Sequence, residues 1–304
     1  MKIQSTDDNP ILSVGCCNFE TEWGDKKANL SKIVLLTTKA SEIGCDIIIF
    51  PELALTGYEC ENTKGCTSKG PHKALAEEIP GPSTKVIENI ARGRKISVIF
   101  GLAEKDSEGS RIYDSAVFIG PEGIVGTYRK LNLAPPPIWT EQFCFTGGAN
   151  KMKEIPVFKS SKFVVGISIC YDFYKFPEIA RIQCLKGANL LVNPSASASA
   201  PGGEPQPHLQ VITGARATEN NCYAASANLV GKERTRSFYG NSVIAGPDVY
   251  RQTRFYAVGG SGEEIVTSSL SLRKLDFIRS RVPLTTDRKK YSSELISKEM
   301  ERLS

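Results

Sequence analysis

The stretch Val165-Gly166-Ile167-Ser168-Ile169-Cys170-Tyr171-Asp172 decides the fold. Its first six residues are apolar or small, with none of the polar alternation of a half-solvated strand. Such a run reads as a strand covered on both faces, the setting of a central strand in a layered α/β protein. The strand is expected to stop at Cys170. Further on, Pro177-Glu178-Ile179-Ala180-Arg181 reads as a helix start with proline in its first turn. A thiol on a strand-to-helix turn is presented rather than packed away, and a nearby helix N-terminus favours its thiolate. That placement suits a nucleophile. The competing reading is a small core residue, the usual fate of a free cysteine.

Two more segments end in chemistry-bearing residues. In Cys45-Asp46-Ile47-Ile48-Ile49-Phe50-Pro51-Glu52 an apolar strand runs into Glu52, which is flanked by Phe50, Leu53 and Leu55. Desolvation there would raise the carboxyl pKa toward the range of a general base; a plain strand-end glutamate is the alternative. Gly126-Thr127-Tyr128-Arg129-Lys130-Leu131 follows the turn Gly120-Pro121-Glu122-Gly123 as the second arm of a hairpin. Lys130 is either snorkelling to water or held as a cation facing developing negative charge.

Around these points helices and strands alternate. Strands are expected at Ile11–Phe19, Asp46–Phe50, Ile96–Ala103, Phe163–Ile169, Asn189–Asn193, Cys222–Leu229, Ser237–Ala245 and Glu264–Ser269, with Ser115–Gly120 pairing Ile124–Tyr128. Helices are expected at Lys27–Ile43, with Leu30, Ile33, Val34 and Ile43 on one face, at Ser83–Arg94 with Ser83 as a cap, at Pro177–Lys186 and at Gln206–Thr218. Alternation of this kind covers both faces of a sheet with helices. Ser195–Gln206, rich in Ser, Ala, Pro and Gly, is a long loop expected at a pocket mouth.

Composition excludes several classes. At 304 residues the chain can bury one large core. Its net charge of +5 forms no basic stripe interleaved with aromatics, so nucleic acid is not an expected partner. No apolar run approaches the ~20 residues that span a bilayer, and Met1–Pro10 is polar, unlike a signal peptide. The nine cysteines are odd in number and lack Cys-x-x-Cys pairs. Several, such as Cys16, Cys17 and Cys222, sit in apolar runs. Reduced, buried thiols in a cytoplasmic protein are therefore expected, with neither disulfides nor a metal site. The two histidines, His72 and His208, lie in Gly/Pro/Lys and Pro-rich contexts and are read as structural or exposed rather than as a catalytic base.

Together, Glu52, Lys130 and Cys170, each ending a strand in that chain order, resemble the nitrilase superfamily of carbon–nitrogen hydrolases. The local words match too: Phe50-Pro51-Glu52 before Thr56-Gly57-Tyr58, then Tyr128-Arg129-Lys130, then Cys170-Tyr171-Asp172 with Phe176-Pro177-Glu178 downstream. The likeness continues through Arg216-Ala217, Glu219-Asn220, Tyr223, Ala227-Asn228 and Gly240-Asn241-Ser242. It implies a four-layer αββα sandwich over residues 1–282, with 283–304 as a C-terminal tail at a subunit interface. It further implies Cys170 as nucleophile, Glu52 as base, and Lys130 with the Tyr171 N–H as oxyanion stabilisers. Glu141 would orient Lys130 and the leaving amine. Tyr58, Tyr171, Phe173, Asn193 and Ser195 are the expected substrate contacts.

No metal or organic cofactor is implied. The partners expected are a small amide and a second copy of the chain, packed through the Pro177–Lys186 helix. Cys-Tyr-Asp is more similar to the amidase and ω-amidase branches than to nitrilases carrying Cys-Trp-Glu. Asn228-Leu229-Val230-Gly231 also resembles the glutaminase domain of glutamine-dependent NAD synthetase. One residue more than usual separates Asp172 from Phe176, placing Lys175 there, to face solvent or, as the alternative, to pair with a carboxylate on the substrate. The expected reaction is hydrolysis of a small primary or ω-amide. N-carbamoyl amine or amino acid hydrolysis, and a non-catalytic scaffold on the same fold, stand as alternatives.

Overall fold

The computed structural model describes residues 10–60, 72–136, 140–150, 152–199, 207–249, 252–283 and 290–303. In chain order its elements begin β1 (Ile11–Asn18), α1 (Lys26–Glu42), β2 (Ile47–Ile49), α2 (His72–Leu75), α3 (Pro82–Arg94), β3 (Ser97–Lys105), β4 (Ile112–Gly120) and β5 (Gly123–Arg129). They continue with β6 (Phe158–Lys159), β7 (Val164–Ile167), α4 (Tyr171–Lys175), α5 (Pro177–Leu185), β8 (Leu190–Ser195), α6 (His208–Glu219) and β9 (Tyr223–Asn228). The last are β10 (Val230–Glu233), β11 (Arg236–Tyr239), β12 (Val243–Asp248), β13 (Gln252–Val258), β14 (Glu264–Ser271), α7 (Leu272–Arg281) and α8 (Lys290–Leu303).

Two six-stranded sheets result, ordered β14-β1-β2-β3-β4-β5 and β13-β12-β9-β8-β7-β6. Each has a parallel centre and antiparallel edges. The period of two along each strand assigns side chains to layers. Leu12, Val14, Cys16, Ile47 and Ile49 meet Val165, Ile167, Leu190, Val192 and Ala225 in the core between the sheets. Ile48, Val98 and Phe100 point the other way, under Ile33, Leu36 and Ala40 of α1 and Ile87 and Ala91 of α3. Leu191, Ala224 and Ala245 pack under Phe173, Ala180 and Ala217 from α4, α5 and α6. The order of layers is therefore αββα, as expected.

The deciding strand behaves as read. Val165, Ile167 and Ile169 face the inter-sheet core, and Gly166 faces Gln183 of α5 so closely that a Cβ would lie 2.6 Å from its Oε1. Beyond the end of β7, Ser168 and Cys170 still donate backbone hydrogen bonds to Val192 and Pro194 of β8.

Some expectations need correction. The helix expected at Pro177 is present as α5, but an unexpected short helix, α4, precedes it and starts at Tyr171, directly after the cysteine. Ile43 ends α1 with 61% exposure and leaves the buried face to Asn29, Ile33, Leu36, Thr37 and Ala40. Ser83 does not cap α3: its N–H and hydroxyl both donate to Glu77, while Thr84 Oγ1 pairs with the Gly81 backbone. Ser237–Ala245 is two strands, broken where Gly240 and Asn241 take positive φ. Strands β6, β10 and β13 and helices α2, α7 and α8 went unread, α2 because its Gly/Pro/Lys context reads as a loop. No helix among the described residues is long and apolar enough to cross a membrane. Part of the long loop, 200–206, lies outside the described residues.

Candidate active site

Glu52 sits on the turn after β2. Phe50 N–H donates to Ile99, and Gly101 N–H to Pro51, so the turn lies against β3. Gly101 permits that approach: a Cβ there would lie 2.3 Å from Leu53 N and 2.7 Å from Pro51 O. Lys130 follows β5, its N–H donating to Asp114 O of β4 and its carbonyl accepting from Gly148. Glu141 opens a short 3-10 turn, Glu141–Phe143. These meet in the first sheet's half of the molecule; Cys170 arrives from the second.

Lys130 Nζ lies 2.5 Å from Glu52 Oε1, 2.8 Å from Glu141 Oε1 and 3.6 Å from Asp114 Oδ2, with all four side chains at 0% exposure. Tyr58 donates its hydroxyl to Glu141 Oε1 at 2.7 Å, and Ala134 N–H donates to Oε2 at 2.8 Å. One ammonium thus faces three buried acids. Burial pushes the Glu52 carboxyl up, and Lys130 offsets this only in part. Asp114 is pushed well above the carboxylate range by burial, then by the charge of Glu52. Neither Asp114 oxygen, nor Glu52 Oε2, accepts from an ordinary donor among the described residues. A proton retained on Asp114 and shared with Glu52 resolves both. For Lys130, burial favours the neutral amine, but Glu141 and Glu52 outweigh it and the ammonium persists above its ordinary value.

Cys170 occupies the cap position of α4 with φ of 46°. Such a backbone costs energy for a residue with a side chain and is held by its surroundings. Asn193 Oδ1 accepts from Cys170 N–H at 2.9 Å, and Asn193 Nδ2 in turn donates to Ser226. Ser195 Oγ lies 3.9 Å from Cys170 Sγ and pairs with the Tyr174 hydroxyl. Burial drives the thiol well above 9.0, Glu52 adds to the rise, and Lys130 opposes it. The expected helix-end thiolate is therefore overruled by desolvation. The resting sulfur is a thiol within electrostatic reach of Glu52, Lys130 and Glu141.

Asp172 joins the two halves. Its carboxylate accepts from Tyr128 Oη, Leu131 N–H, Asn132 N–H and Asn132 Nδ2 at 2.7–2.9 Å. The residues flanking Lys130 are thereby fastened to the residue two beyond Cys170.

Of the expected substrate contacts, Tyr58 holds Glu141, and Asn193 and Ser195 hold the cysteine loop. Phe173 is 1% exposed in the outer core beyond the second sheet, and Tyr171 is half-buried against Phe176. Lys175 is exposed as expected. Asp114 and the bridging role of Asp172 went unread. The signal for Asp114 was available: a lone acid in the apolar strand Ile112–Gly120. His72 is buried, its pKa pushed down to about 4 by burial. His208 packs on Tyr174 at 4.7 Å between ring centres. The eight described cysteines are all free thiols.

A thiol, a lysine and paired acids at the strand ends of a double-sheet sandwich define a class of hydrolase, and the sequence agrees. The model of the carbon-nitrogen hydrolase family matches residues 13–276, and the chain belongs to this family of enzymes, within the nitrilase superfamily. Among similar proteins, a nitrilase of Pyrococcus abyssi is 35% identical over 220 residues, covering 72% of this chain and 75% of that protein. An omega-amidase of Danio rerio is 29% identical over 271 residues, covering 87% and 90%. The crystal structure of a carbon-nitrogen hydrolase from Helicobacter pylori superposes with a TM-score of 0.79 at 24% identity, covering 94% of this chain and 98% of that one.

Proposed function

We propose that the chain hydrolyses a small primary or ω-amide to a carboxylic acid and ammonia through a thioester on Cys170. The observation carrying this reading is the fully buried Lys130 ammonium held between Glu52 and Glu141, with the thiol of Cys170 coupled to all three. Glu52, with its raised pKa, takes the thiol proton as sulfur attacks the carbonyl carbon. The resulting alkoxide is stabilised by Lys130 and the Tyr171 N–H, a contribution of about 3 kcal/mol to the barrier. Glu52 returns its proton to the nitrogen, the C–N bond breaks and ammonia leaves. Water then gives a proton to Glu52 and attacks the thioester; the C–S bond breaks and the thiol regains its proton. Glu141, fixed by Tyr58 and Ala134, holds the ammonium and faces the leaving amine. Tyr171-Asp172 after the cysteine favours an amide over a nitrile, since that word is similar to the amidase branches.

The test is ammonia release from a panel of amides by wild type and Cys170→Ala. Turnover by wild type that vanishes in a folded variant supports the reading; equal turnover by both ends it.

A second copy of the chain is the proposed partner. Helix α8 exposes Leu295, Ile296, Met300 and Leu303, at 56–76%, more apolar surface than a solvated helix ordinarily shows. Helix α5 instead turns Ile179, Ala180 and Gln183 inward, so α8 is the better candidate for the contact. Light scattering of the purified chain is expected to give a dimer or larger; a monomer refutes it.

A further inference from the structure

We propose that Cys60, His72 and Cys144 form a binding site for a thiophilic d10 cation, zinc above all, beside the active site and distinct from it. The three come from separate segments: the chain after Tyr58, the first residue of α2, and the residue after the Glu141–Phe143 turn. Their sulfur and nitrogen atoms all lie within 4.8 Å of one another, and all three residues are buried. The His72 ring is enclosed by Phe145 at 4.9 Å and Trp23 at 6.4 Å between ring centres.

The second observation is the imidazole itself. At 0% exposure it has no hydrogen-bond partner of ordinary geometry for either ring nitrogen among the described residues. The backbone of Tyr58 and Glu59 lies close enough only to raise its basicity slightly. A buried polar ring with both nitrogens unmet is costly in an apolar core, and the cost is removed when one nitrogen ligates and the other turns to those carbonyls. Each thiol makes one weak bond to a backbone carbonyl, Cys60 to Tyr58 O and Cys144 to Cys60 O, both at 3.4 Å.

The donor set selects the metal. Two sulfurs and one imidazole offer no oxygen, which excludes calcium and magnesium and suits zinc. Two thiolates and a neutral ring also cancel a dication's charge, so occupancy adds no net charge to the core. Three protein ligands leave a fourth position for water or a small ligand. The position of the site has a consequence for the machinery nearby. Cys60 lies two residues beyond Tyr58, whose hydroxyl holds Glu141, and Cys144 lies three beyond Glu141 itself. A bound cation ties together the two segments that fix this acid.

The test uses the full chain carrying Cys170→Ala, which removes the active-site thiol as a competing ligand, stripped of metal and kept reduced. Cobalt(II) is added as a spectroscopic probe, then zinc. The expected result is saturation at one equivalent with sulfur-to-cobalt charge-transfer absorption, displacement by zinc, and a thermal midpoint that rises with zinc concentration by mass action. The absorption is expected to vanish in the further variant Cys60→Ala/Cys144→Ala, and to weaken in His72→Gln. No thiolate signature from the folded Cys170→Ala protein overturns the proposal, whatever the variants do. So does a signature that survives in the folded double variant, which would assign the cobalt to other thiols such as Cys184 and Cys222.

Discussion

Replacing Asp172 with asparagine tests how the two sheets are kept in register at the reacting atoms. The carboxylate accepts four hydrogen bonds, two on each oxygen: Tyr128 and Leu131 on Oδ2, Asn132 twice on Oδ1. Asparagine keeps one accepting oxygen. Its amide then faces two former donors, and only the tyrosine hydroxyl can rotate to accept. Losing two charge-assisted bonds at about 1.5 kcal/mol each predicts a stability loss of about 3 kcal/mol. The larger effect falls on catalysis. Leu131 and Asn132 follow Lys130 directly, so loosening them moves the ammonium relative to Cys170. A shift of about 1 Å costs about a hundredfold in rate. Because the acid positions the machinery without touching the substrate, kcat is expected to fall about a hundredfold with KM within about threefold. The assay is ammonia release against substrate concentration, beside a thermal melt. A folded Asp172→Asn enzyme with wild-type kcat refutes the reasoning.

Gly101→Ala would drive a Cβ to 2.3 Å from Leu53 N and displace Glu52, so activity is expected to drop at least about tenfold by the same positioning rule, read in the kcat of the folded variant. Asp114→Asn replaces a buried acid whose folded pKa lies well above 3.8 with a permanently neutral group. The folded protein holds that proton more tightly than the unfolded chain, so wild-type stability falls as pH rises from 3.8 through the folded value. The variant's thermal advantage should therefore be absent below pH 3.8 and grow above it; a constant or reversed difference across a pH series counts against the shared proton. In its proposed role as base Glu52 must be ionised to accept the thiol proton, and its pKa is raised from 4.5, so the acid limb of kcat/KM is expected above pH 4.5; a rate undiminished down to that pH excludes Glu52 as the base.

The sheets were legible because burial on both faces leaves continuous apolar runs, as at Ile47–Ile49 and Val165–Ile169, and the site was legible because its residues end those runs. What escaped was set by partners distant in the chain. Helix α4 begins at Tyr171 because Asp172 is anchored by Leu131 and Asn132, which no local pattern announces. Cys170 was expected as a thiolate from a nearby helix end; desolvation, a property of the assembled core, reverses that. Phe173 follows the nucleophile in sequence, but a helical turn carries its ring to the far side of the sheet. Cys60, His72 and Cys144 show no ligand spacing, since the fold rather than a short loop gathers them.

The excess of acid over base around Lys130 bears on how a turnover ends. Under the proposed function, an uncharged amide enters without opposing that field. The carboxylic acid formed from it would ionise next to groups of its own sign, and their repulsion would favour its release. Accumulating product should compete poorly with fresh substrate, so inhibition by product is expected to be weak.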